Sequence, residues 1–387
     1  MNGVMAAGNL PRAEALIDLG AVAHNVTSLA GLAGQSGAAT MVVVKADGYG
    51  HGAVEVASTA LAAGATWLGS CSLDEALTLR AAGLTAPTLS WLDLPGTDYA
   101  AGIAADVDLS VASLDTLAEV RAAAKQAGRP ARVHLKIDTG LSRNGCPPDQ
   151  WARLVDAAAR TPEVRVVAIW SHLACADEPG HPSIDAQAER FVEAYRVARA
   201  AGLRPLRHLA NSAATLTRPD LHFDLVRPGI AVYGLNPTPQ PADLRPAMTF
   251  RSSVAFTKRV PAGEGVSYGH TWTTRRDTTL ALVPVGYADG VPRSLSGRMQ
   301  VWLGGRRRLV AGRVCMDQIV VDCGDDPVSP GDEVILFGPG DQGEPTAREW
   351  ADLIGTIDYE IVTGMCRPRL RRRHLPAPAP SLAGVPR

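Results

Sequence analysis

Met41-Val-Val-Val-Lys45 is the stretch on which the fold turns: four apolar residues in an unbroken run, closed by a lysine. A half-buried strand would alternate apolar and polar positions. A run without alternation belongs to a parallel strand covered on both faces. Seven more such runs follow: Trp67–Ser70, Thr88–Trp91, Leu109–Val111, Val133–Ile137, Val164–His172, Leu206–Leu209 and Asp224–Arg227. Amphipathic stretches lie between them, among them Leu73–Ala82, Ser113–Gln126, Trp151–Arg160 and Ile184–Ala201. Eight strands separated by helices over roughly 200 residues predict a (β/α)8 barrel. The rival, a doubly wound open sheet, would carry a G-x-G-x-x-G turn after its first strand, and none follows Lys45.

Outward from the runs the pattern changes. Ala15–Leu19 reads as a strand-like opening, and Leu235-Asn-Pro-Thr-Pro-Gln-Pro-Ala-Asp243 reads as a connection between domains. Beyond it, Thr249–Val260, Thr278–Val285, Met299–Leu303, Arg313–Asp322 and Glu333–Phe337 are strand-like, with a tight turn at Gly304-Gly305. Only Thr346–Ile354 looks helical there. The expectation is an α/β plus β fold: a barrel over 12–240, a mostly β domain over 241–374 and a disordered tail over 375–387. The basic run Arg367-Pro-Arg-Leu-Arg-Arg-Arg-His374 reads as a solvated, partly disordered terminus.

Composition narrows the function. Of 387 residues, 46% are hydrophobic and 20% charged, the balance of a globular protein. Lys and Arg number 38 against 39 acidic residues, so a role in coating nucleic acid or a membrane surface is disfavoured. The six cysteines include no C-x-x-C pair, which points to reduced thiols and excludes a zinc ribbon. Met1–Pro11 lacks the features of a signal peptide, and no apolar run reaches the ~18 residues of a membrane span. A cytoplasmic enzyme is expected. His24, His51, His181, His222, His270 and His374 have no metal-ligand spacing, so no metal is expected.

The polar residues fall where a barrel does chemistry, at the C-terminal ends of its strands. Lys45 closes the first run, Lys136 and Asp138 the fifth, and His172 the sixth; Asn211 and Ser212 follow the seventh and Arg227 the eighth. A lysine in an apolar mouth loses part of its preference for the charged form and becomes a nucleophile. Asn211–Ala214 and Pro228–Ala231 come after strands seven and eight, where barrels commonly hold phosphate on backbone N–H groups. A Schiff-base lysine and a phosphate cradle in one mouth suggest pyridoxal 5′-phosphate (PLP).

Val44-Lys-Ala-Asp-Gly-Tyr-Gly-His-Gly52 resembles the PLP-lysine signature of alanine racemases. Further pieces fit the same family in order. They are His134–Arg143, Ser171-His172, His208–Ala213, Val226–Ile230, Val266–Gly269, Val285–Gly290, Cys315–Asp317 and Thr356–Glu360. The resemblance spans about Glu14 to Arg369, and it implies the following roles. Lys45 binds PLP covalently and carries one proton, and Tyr268 carries the other. Arg227 hydrogen-bonds the pyridine nitrogen, with His208 behind it and His172 beside it. Tyr49, Asn211, Ser212, Gly229, Ile230 and Tyr359 hold the cofactor, mainly at its phosphate. Arg143 and the backbone N–H of Met316 face the substrate carboxylate. Lys136, often carbamylated in the family, orients Arg143. Asp317 belongs to the same region, Tyr287 lines the access route, and Asp177, Arg293 and Arg313 match the corridor leading to it.

The chemistry wants such a set. Inverting alanine at Cα needs an acid/base group on each face. Tyrosine, with an ordinary pKa of about 10, needs neighbours that stabilise phenolate. An arginine at the ring nitrogen keeps that nitrogen unprotonated, which favours prompt return of the proton. The resemblance therefore implies racemisation of L- and D-alanine, supplying D-alanine for peptidoglycan, in a homodimer with shared sites. A broader racemase acting also on serine is an alternative. A barrel-type PLP decarboxylase is disfavoured because such enzymes place an acid where this chain has Arg227. A PLP-binding carrier resembles the barrel alone.

Overall fold

A computed structural model of the chain describes residues 12–377. The first strand, β1 (Glu14–Asp18), is followed by eight strands that alternate with helices. These are β2 (Ala39–Val43), β3 (Trp67–Ser70), β4 (Thr88–Ser90), β5 (Val107–Val111), β6 (Ala131–Lys136), β7 (Val164–Trp170), β8 (Leu206–His208) and β9 (Leu225–Val226). All pair in parallel, in the order β8-β7-β6-β5-β4-β3-β2-β9. Backbone bonds from Asp224 N to Arg207 O (3.1 Å) and Arg227 N to Ala210 O (2.9 Å) join the two ends of the order and close the barrel. Met41, Leu68, Leu89 and Leu109 are fully buried, as unalternating runs require.

The intervening helices start where their sequences allow. Ser113 caps the helix Leu114–Ala127 by accepting from Thr116 N, and Gly128 ends it at φ 67°. Asn211 caps the short helix Ser212–Thr217 by accepting from Ala214 N. Ala21–Arg245 forms one compact unit.

The β unit contains residues from Pro246 onward together with the segment that ends at Gly20. Its strands are β10 (Met248–Ser253), β11 (Phe256–Val260), β12 (Gly265–Val266), β13 (Trp272–Thr273), β14 (Thr278–Val283), β15 (Gln300–Leu303), β16 (Arg306–Leu309), β17 (Ile319–Gly324), β18 (Glu333–Phe337) and β19 (Arg371–Leu375). A six-stranded sheet runs β16-β15-β18-β10-β1-β19, and a three-stranded sheet runs β11-β14-β17. On the six-stranded sheet Phe250 and Phe337 pack together with Trp350, with ring centroids 5.1–6.5 Å apart.

Four expectations change. The opening strand, read with the barrel, pairs instead with β10 and β19. The basic run is not a solvated terminus: Arg371–Leu375 is a strand parallel to β1, and Leu375 ends it. The rest of the expected tail, 378–387, lies outside the described residues. Within Arg313–Asp322 only the part from Ile319 is strand, because 312–318 form a loop, and Asp358–Thr363 adds a helix.

The basic strand is ordered by one buried carboxylate. Glu14 on β1 accepts from Arg251 Nε (2.8 Å) and Nη2 (2.6 Å) and from Arg373 Nε (3.2 Å), with Arg371 Nε at 3.8 Å. Three guanidinium groups around one desolvated carboxylate make the charge run a packed feature. Glu14→Gln, which keeps the shape and removes the charge, is expected to cost about 3 kcal/mol. Urea denaturation reads this as a lower midpoint; an unchanged midpoint would mean that solvent and Glu333 satisfy these arginines.

Candidate active site

Lys45 follows the end of β2, and the backbone after it turns left-handed. Ala46 (φ 52°), Asp47 (φ 51°), Gly48 (φ 62°) and Tyr49 (φ 52°) lie consecutively at positive φ. For the three residues with a Cβ this costs ~1–2 kcal/mol each, and surrounding bonds offset it. Asp47 Oδ1 accepts from Ala53 N at 2.9 Å. Glu75 bridges two segments, accepting from Ala46 N (2.8 Å) and Cys71 N (2.7 Å). Lys45 Nζ lies 5.9 Å from the Tyr49 ring centroid and 6.0 Å from that of Trp91. Burial lowers the Lys45 pKa and Arg143 adds repulsion, while Cys71 and Glu75 pull the other way. A larger share of uncharged amine is the result, as a nucleophilic lysine requires.

Arg227, next after β9, is only 4% exposed. Its Nη2 donates to Ser171 O (2.7 Å), Leu209 O (3.2 Å) and His172 Nδ1 (3.3 Å), and Nη1 to His208 Nδ1 (3.1 Å). Burial pushes its pKa down to about 9. Trp170 is the common platform. The ring stacks on His208 (5.6 Å, 9°), and its centroid is 5.0 Å from Arg227 Cζ and 4.2 Å from Lys136 Nζ. Burial, then the positive fields of Arg227 and Arg143, brings Lys136 down to about 8. The same causes hold His172 well below the usual histidine range, and burial with Arg227 does so for His208. Arg143 itself is exposed.

A third group of residues makes a polar cradle. Ser212 Oγ accepts from the backbone N–H of Gly229 (2.8 Å) and Ala231 (3.3 Å). A Cβ at Gly229 would stand 2.4 Å from the Tyr49 hydroxyl, so only glycine lets that backbone and that hydroxyl approach. Ile230 opens the short helix Ile230–Tyr233, and Tyr233 Oη donates to Val43 O (2.9 Å). Hydroxyls and backbone amides converging in this way suit a phosphate monoester. Asn211 is half-buried and serves as the helix cap described above.

The barrel unit thus brings Lys45, Tyr49, Lys136, His172, His208, Ser212, Arg227, Gly229 and Ile230 to the C-terminal ends of its strands, and leaves Asp177 exposed. The remaining expected residues lie in the β unit. Tyr268 is 71% exposed and sits between Ser267 (φ 63°) and Gly269 (φ 72°). Ser267 Oγ donates to Arg313 O at 2.7 Å. Tyr287 N donates to Cys315 O and Ala288 N to Met316 O, both at 3.0 Å, which clamps these two loops together. Met316, Asp317 and Arg293 are exposed, and Arg313 and Tyr359 half-buried. Asp289 holds this pair of loops: its carboxylate accepts from Gly286 N (2.9 Å) and from Arg12 (3.1–3.2 Å). Arg369 reaches Asp317 at 2.8 Å.

Sequence reasoning missed Glu75, Asp289 and Arg12. Besides any bond to a neighbour, each also holds a segment distant in the chain, and that contact leaves no local signal.

A parallel barrel with a desolvated lysine, a buried arginine and a cradle of hydroxyls and backbone amides at the C-terminal ends of its strands has the layout of a barrel enzyme. Comparison with known proteins is more specific. Residues 17–237 match the alanine racemase N-terminal domain family and residues 247–374 the C-terminal domain family. The chain therefore belongs to the alanine racemase family. It is 59% identical over 366 residues to the alanine racemase of Frankia casuarinae, covering 92% of this chain and 95% of that one. It is 58% identical to that of Salinispora arenicola, covering 94% and 98%. Among solved structures, the alanine racemase from Streptomyces lavendulae superposes with a TM-score of 0.92 at 51% identity, covering 95% and 98%. That from Streptomyces coelicolor gives 0.91 at 55% identity, covering 94% and 98%.

Lys136 makes the electrostatics measurable. Its pKa is about 8 in the fold against 10.5 for an ordinary lysine, so the unfolded chain binds more protons between these values. This group's contribution to stability therefore rises with pH across that window and is least favourable below it. Lys136→Met removes the contribution. In CO2-free buffer the variant is expected to gain up to about 3 kcal/mol over wild type at pH 7, a gain that shrinks towards pH 10. Paired urea titrations at the two pH values check it, and an equal difference at both would contradict the assigned shift.

Proposed function

We propose that this chain interconverts L- and D-alanine with PLP held in the barrel mouth, supplying D-alanine for peptidoglycan in a bacterial cytoplasm. The observation that carries this reading is the convergence at one barrel mouth of a desolvated Lys45, the Ser212–Gly229–Tyr49 cradle and the buried Arg227. The three match the aldehyde, phosphate and ring nitrogen of PLP. Among the described residues no helix is long and apolar enough to cross a membrane, and no disulfide joins any of the six cysteines.

When bound, PLP supplies the electron sink that acidifies the Cα–H of alanine. The residues do the rest. Tyr49, Ser212 and the backbone at Gly229 and Ile230 would hold the phosphate, with Asn211 fixing the helix start and Tyr359 adding a hydroxyl. Arg227 would donate to the ring nitrogen, since a guanidinium does not give up its proton. Lys45 Nζ would move the proton on one face of Cα and Tyr268 Oη on the other. His172, kept neutral beside Arg227, would pass the positive field of that arginine towards the phenol.

Arg143 and the N–H of Met316 would bind the alanine carboxylate, with Asp317 beside Met316. Lys136, with its pKa lowered to about 8, offers the neutral amine that adds CO2 with loss of a proton, and the resulting carbamate would orient Arg143. Tyr287 would line the access route, with Asp177, Arg293 and Arg313 along the corridor. Tyr268, Tyr287 and Met316 are exposed on the β unit, which supports a homodimer in which they enter the partner's barrel.

Purified PLP-loaded protein given L-alanine is expected to form D-alanine until the enantiomers are equal. Chiral chromatography reads this, and no D-alanine would overturn the proposal. Lys45→Ala and Tyr268→Ala should each lose roughly 10²–10⁴-fold in rate. Mixing the two inactive proteins under subunit exchange should restore about a quarter of wild-type activity, one complete site in each heterodimer. No restoration despite exchange would place each site within one chain.

A further inference from the structure

Asp108, on β5 and fully buried, takes no part in the site described above. Arg132 grips its carboxylate on one side, Nε to Oδ1 at 2.5 Å and Nη2 to Oδ2 at 3.0 Å. His134 Nε2 lies 3.0 Å from Oδ2 on the other side. His134 Nδ1 is 2.9 Å from His208 Nε2, and His208 Nδ1 is 3.1 Å from Arg227 Nη1. A single file of hydrogen bonds therefore runs through the barrel interior from β5 and β6 to the residue after β9.

The two ends of the file fix its direction. A guanidinium only donates, and an ionised carboxylate only accepts. His208 Nδ1 must then accept from Arg227, which leaves the His208 proton on Nε2. That proton is donated to His134 Nδ1, so the His134 proton is on Nε2 and is donated to Asp108. One polarity satisfies every junction and holds both imidazoles neutral. Reversing either ring would set two N–H groups face to face in a dry interior, where an unmade bond is costly.

We propose that Asp108 is a positioning residue for Arg227, locking through His134 and His208 the one hydrogen-bond polarity that gives this buried guanidinium an imidazole acceptor. For catalysis the proposal rests on the PLP reading: Arg227 fixed from behind keeps its remaining N–H groups for the ring nitrogen. Arg132 holds the carboxylate and so anchors the far end.

Asp108→Asn is the sharp test because it keeps the shape and invites the opposite polarity. The oxygen of the introduced carboxamide turns to Arg132, its NH2 faces His134 Nε2, and the file reverses until His208 Nδ1–H meets Arg227. Two-bond 1H–15N spectra of histidine-labelled holoenzyme report which ring nitrogen carries the proton. Wild type should show Nε2–H at both His134 and His208, and the variant Nδ1–H at one or both. In parallel the visible absorbance of the bound cofactor should shift, and kcat should fall about tenfold or more with little change in KM for alanine.

A wild-type His134 or His208 protonated at Nδ1 would overturn the proposal, whether or not the variant folds. So would a variant that only melts at lower temperature, with its ring protons, cofactor spectrum and kcat unchanged. If wild-type protein took up no PLP the functional reading would fail by itself, and the ring-proton assignment would still decide the polarity.

Discussion

A guanidinium almost out of water, with no carboxylate in contact among the described residues, is the constraint around which the barrel mouth is arranged. Leaving water costs an ion several kcal/mol even after relaxation. Arg227 recovers part of this from two carbonyl oxygens, two imidazoles and the face of Trp170. None of these neutralises it. Burial lowers Lys136 and His172 and the field of Arg227 adds to it, and Lys136 leans on the same indole. Lys45, Lys136, Arg143 and Arg227 therefore leave the mouth electropositive. Such a mouth is electrostatically incomplete without anions, and a phosphate and an amino-acid carboxylate are the anions that the proposed reaction brings.

The same mouth stores backbone strain. Lys45 is followed by five residues at positive φ, Ala46 to Gly50, and Tyr268 is flanked by Ser267 and Gly269 at positive φ. In each case the strain is held by bonds to other segments: Glu75 and Asp47 around the first turn, the Ser267 hydroxyl on Arg313 O at the second. Left-handed backbone at a non-glycine residue persists only where the surroundings over-determine it. Two such turns, each carrying one proposed proton carrier, fix those side chains by their backbone rather than by side-chain packing. A group that must reach one face of one carbon is better served by that rigidity than by a mobile stem.

The barrel was legible because its evidence is local and repeated. Unalternating runs such as Met41–Lys45 and Val133–Ile137 can be buried on both faces only in a parallel sheet with helices outside, and the topology follows. Residues at strand ends, from Lys45 to Arg227, could be read for the same reason, since period and punctuation locate the mouth. What escaped depends on contacts between distant segments. Nothing near Glu14 says that it lies against Arg251 and Arg373, so the basic run looked solvated. Nothing near Asp289 says that Arg12 will reach it. Asp108 lay just outside the run Leu109–Val111 and His134 carried no role within its motif, because a polar side chain buried among apolar neighbours shows in a sequence only when its partner is also known.

The same non-local character governs how the β unit forms. Its six-stranded sheet has β1 between β10 and β19, and the residues joining β1 to β10 are those of the barrel. Closing so long a loop adds little free energy, since the cost grows only with the logarithm of length. It does delay pairing, because contacts far apart in sequence form late. The barrel is contiguous and can form from its own segment, whereas the sheet needs both β1 and β19. Arg12 and Arg369, which hold Asp289 and Asp317, lie beside those same two strands. The loops carrying Tyr287 and Met316 are thereby held by residues beside β1 and β19, so the proposed substrate-facing side of the β unit depends on strands that the whole barrel separates in sequence.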